Sequence, residues 1–99
     1  MHSVLYVSDR SLKLASDIEN RFSSLGKDSG IIFVGVAPIP EEDGTCKSFI
    51  VTVGSRKDVP KGAVMALSRS LLQEEMDSGL SITVVPVRGV PVPFAQNNN

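Results

Sequence analysis

Three stretches of this chain bring together side chains that can do chemistry. Cys46 is the sole thiol and stands beside Lys47, whose ammonium can lower a thiol pKa. Glu41, Glu42 and Asp43 gather three carboxylates ahead of Gly44, the oxygen-rich composition of a hard-cation loop. Gly54-Ser55-Arg56-Lys57 is the most basic approach to an expected helix. Free amides at a helix start can hold an anion when cations flank them, so Ser55, Arg56 and Lys57 are candidate anion-site residues.

Each stretch lacks a partner that its chemistry needs. Nucleophilic catalysis requires a base within hydrogen-bond reach, and the sole histidine, His2, lies outside the first expected strand. Cys46 is therefore expected to be an accessible, unactivated loop thiol. The acidic triplet lacks the alternating ligands and distal bidentate glutamate of a calcium loop and is expected to be solvated. The eight glycines match neither the dinucleotide nor the P-loop pattern, so the stretch at 54–57 reads first as a turn and helix cap. Glu74, Glu75 and Asp77 crowd the end of an expected helix against its dipole, a placement that can mark a docking surface. No catalytic residue, cofactor or metal site is assigned.

Composition narrows the classes further. At 99 residues there is room for one domain, and an apolar fraction of 41% supports a modest core. Residues 1–95 are expected to form a single α+β domain and 96–99 a disordered polar tail. One cysteine and one histidine exclude an internal disulfide and a Cys/His zinc cluster. Ten basic against eleven acidic side chains, for a net charge of −1, give no strong field to gather nucleic acid or an anionic membrane. The N-terminus lacks the basic-then-apolar order of a secretory signal, and no apolar run approaches the ~20 residues that span a bilayer. A cytoplasmic location, with no membrane contact, is expected.

Periodicity supplies the elements that must position these residues. Residues 3–7 are apolar on both faces and read as a buried strand. From Ser11, the residues Leu14, Ala15, Ile18, Phe22 and Leu25 form a helical stripe opposite Lys13, Asp17, Glu19 and Arg21, capped by Asp9 or Ser11 and ended by Gly26. Residues 31–37 read as a second strand, stopped by Pro38 and Pro40, and Asp43-Gly44 as a turn. In a third strand, residues 48–53, Phe49, Val51 and Val53 face the core. Asp58 is expected to cap a second helix whose stripe is Ala63, Val64, Leu67 and Leu71, with Met65, Leu72 and Met76 beside it and Gly79 at its end. Residues 80–87 make a fourth strand. The order β-α-β-β-α-β predicts a ferredoxin-like sandwich. Two helices would cover one face of a four-stranded, mainly antiparallel sheet, with the first and third strands central.

Leu5-Tyr6-Val7-Ser8-Asp9 is similar to the first-strand signature of RNA-recognition-motif domains, a resemblance that implies an RNA-binding sheet face. That family's second signature would fall on Lys47-Ser48-Phe49-Ile50-Val51, where the second outward aromatic is absent and the required register would expose Phe49, Val51 and Val53. Val4-Leu5-Tyr6-Val7-Ser8-Asp9 is also similar to the opening of receiver domains, but Gly54-Ser55 stands where these carry an acceptor aspartate. Neither family is assigned. The expected function is a small non-enzymatic protein-interaction domain that self-associates through its sheet as a homodimer, or binds another protein. RNA binding on the open sheet face and a small enzyme are the alternatives. Tyr6, Ile32, Phe33, Val34, Val92 and Phe94 are the candidate interface residues, because strands apolar on both sides leave a face that helices do not cover.

Overall fold

The structure, a computed structural model, describes residues 7–25 and 27–89. Helix α1 spans Asp9–Ser23. Its cap is Ser8, one residue ahead of Asp9, the nearer of the two expected caps: the Ser8 hydroxyl accepts from the Ser11 amide at 3.3 Å, and Asp9 sits in the first turn, where the helix dipole favours an acid. After a 3-10 turn at Lys27–Ser29, strand β1 runs over Ile31–Pro40 and strand β2 over Cys46–Ser55. Helix α2 covers Lys61–Asp77 and strand β3 Ser81–Arg88. Gly79, with φ of +97°, makes the left-handed exit from α2 that glycine adopts without strain. Pro60, not Asp58, stands at the N-cap of α2, and Asp58 instead pairs with Arg56.

The described residues form a three-stranded mixed sheet in the order β1-β2-β3, so the fold is α+β but not the four-stranded ferredoxin-like sandwich. β2 pairs antiparallel with β1 and, through the α2 crossover, parallel with β3. Both hydrogen-bonding edges of β2 are thereby occupied. The ferredoxin-like order needs the first strand between β2 and β3, and the direct β2–β3 ladder closes that slot. Of that expected first strand, Val7 is not in a strand, and residues 3–6 lie outside the described residues, as do Gly26 and the tail boundary at 95.

Both helices lie on one side of the sheet. Phe49, Val51 and Val53 of β2 turn to this side as their alternation predicts and are fully or almost fully buried. Ile18, Phe22, Val64 and Leu72 close the core over them, while Ala15, Cys46 and Phe49 form an adjoining cluster. On α2 the buried line is Val64, Ser68, Leu72 and Glu75; Ala63 is exposed and Leu67 and Leu71 only half-buried. The helix is thus rolled from the most apolar stripe onto one with two polar residues. Each has a local partner: Ser68 Oγ donates to the Val64 carbonyl at 2.8 Å, and Glu75 meets Arg21 of α1.

Candidate interaction face

Two register shifts decide which way the strand residues point. Along β1 one falls at Ile32, between the Ile31–Ser55 and Phe33–Gly54 pairs, and the other between Ile39 and Pro40, which pairs with Cys46. A one-residue shift reverses facing. Cys46 therefore turns inward against Ala15 and Phe49 instead of standing in a solvated loop, which corrects its expected accessibility. Between the shifts, the side away from the helices is built from cross-strand rows. Phe33, Gly54 and Val87 make one row and Gly35, Thr52 and Val85 the next. Ala37, Ile50 and Thr83 follow, then Ile39, Ser48 and Ser81.

Of the twelve residues in the rows of this face, six carry apolar side chains, two are glycines and four, Ser48, Thr52, Ser81 and Thr83, carry hydroxyls, and none is charged. Among the described residues nothing covers it: Phe33 is 43% exposed, Ile39 44%, Val85 39% and Val87 38%. The Phe33 ring lies over Gly54, where any added Cβ would collide with it, so this row has a glycine because the aromatic needs the space. A Cβ on Gly35 would meet nothing within 4 Å, so that glycine leaves an open hollow. At strand spacings of ~4.8 Å and rises of ~3.3 Å per residue, the face spans on the order of 400 Å², its hydroxyl residues included.

The candidate interface residues separate. Phe33 stands on the open face, Val34 packs toward the helices, and Ile32 occupies the register shift. Tyr6, Val92 and Phe94 lie outside the described residues. The candidate anion residues do not converge either. Ser55 points inward with a buried hydroxyl that has no hydrogen-bond partner, while Arg56 is exposed and donates to Asp58 at 3.2 Å. Lys57 is exposed, and its carbonyl accepts from Arg88 at 2.9 Å.

In the hairpin turn, Asp43 accepts from the Thr45 hydroxyl at 2.6 Å and amide at 3.0 Å, bonds that hold its carboxyl below the usual aspartate range. That oxygen closes the turn itself, and Glu41, Glu42 and Asp43 are exposed. An open cavity of about 340 Å³ lies between the end of α1 and the start of β1, and its described lining residues carry no titratable side chain.

The pair that sequence reasoning missed is Arg21–Glu75. Arg21, assigned to the solvent side of α1, is half-buried and donates to Glu75 Oε1 at 2.5 Å and to the Leu71 carbonyl at 3.3 Å. Glu75, read as part of an acidic docking end, is 5% exposed. The one signal available was that Glu75 falls in line with Val64, Ser68 and Leu72 at helical spacing.

Among the described residues, no helix is long and apolar enough to cross a membrane. Compared with known proteins, the chain matches no protein-family model, no curated protein and no solved structure.

Proposed function

We propose that this protein is a small, non-enzymatic, cytoplasmic interaction domain that self-associates through the open face of its sheet. The carrying observation is that, among the described residues, this face exposes Phe33, Ile39, Val85 and Val87 and has no charged side chain. A nucleic acid requires cations to replace its counterions, and among the described residues this surface has no Arg or Lys and one aromatic, Phe33, so it favours protein over RNA. A charged protein partner would find nothing here to pair with. A second copy brings the same uncharged surface and buries both patches at once. The face is a better site than the strand edges, because β1 carries Pro38, Pro40 and a register shift and β3 carries Pro86, each of which blunts edge pairing.

Light scattering across a concentration series tests the reading. The expected result is twice the chain mass at tens of micromolar, returning to a monomer in Val85→Glu and Phe33→Glu with circular dichroism unchanged. Ala63→Glu, on the exposed side of α2, should stay dimeric. A monomer mass for the unaltered chain overturns the proposal.

A further inference from the structure

We draw no further inference here: the strongest candidate, the exposed cluster of Arg56, Lys57, Lys61 and Arg88 where β2 and β3 end and α2 begins, is a helix N-terminus flanked by surface cations, and nothing among the described residues points to a ligand there, since the buried hydroxyl without a hydrogen-bond partner, that of Ser55, turns into the core.

Discussion

Arg21 does more for this molecule than its place in the helical pattern of α1 implies. Its guanidinium reaches α2, where Glu75 is buried and Leu71 offers a carbonyl. The hydrogen bond to Glu75 holds the Arg21 pKa above its ordinary value, with Glu74 and Asp17 adding smaller contributions in the same direction. A raised folded-state pKa on a cation contributes stability at every pH below the unfolded value and loses it only as pH climbs through the folded one. Arg21 is therefore charged throughout the range in which the protein is handled. Removing one partner leaves the other charge uncompensated. Arg21→Met should lower stability by about 3 kcal/mol in chemical denaturation, the low end for a buried pair because the arginine is partly exposed. Arg21→Met/Glu75→Leu should recover most of that loss. A double variant no better than the single would mean that the pair is not what couples the helices.

At the scale of elements, α2 shows how packing overrides the most apolar stripe. Leu72 is fully buried in the core and Ala63 is exposed, although sequence periodicity put Ala63 in the buried line and Leu72 beside it. Leu72→Ala should cost about 2 to 5 kcal/mol and lower the denaturation midpoint accordingly, whereas Ala63→Ser should stay within about 0.5 kcal/mol. Equal effects would place the helix on its other face. The hairpin behaves similarly. The alternation of Phe49, Val51 and Val53 was legible because β2 buries one side only, but the shift beside Pro40 that turns Cys46 inward leaves no mark in composition. Prolines were read as ending the second strand, and they lie inside β1 because an edge strand tolerates residues that donate no ladder bond.

The whole molecule has two unequal sides. Among the described residues, the charged ones stand on the helices, turns and strand ends, and the open side of the sheet has none. Association through such a face is driven by apolar burial and not by ion pairing, so its salt dependence should be weak. The dimer constant measured by sedimentation should change less than about threefold between 50 mM and 500 mM sodium chloride. A loss of tenfold or more over that range would assign the contact to charged surfaces elsewhere.

The sequence by itself determined the α+β class, both helices, the three strands and the inward side of β2, because periodicity is a local property of the chain. It offered Ile32, Phe33 and Val34 alike as candidate interface residues, without deciding which side of β1 the helices cover. The tertiary structure alone decided that β3 pairs directly with β2, that α2 rolls onto Ser68 and Glu75, and that Arg21 leaves solvent to meet it. It also decided that Phe33, Gly35 and Val85 share one surface. Strand order, helix roll and cross-strand rows each depend on residues far apart in the chain. Each is settled by which arrangement fills space and satisfies polar groups, and no window of neighbouring residues contains that information.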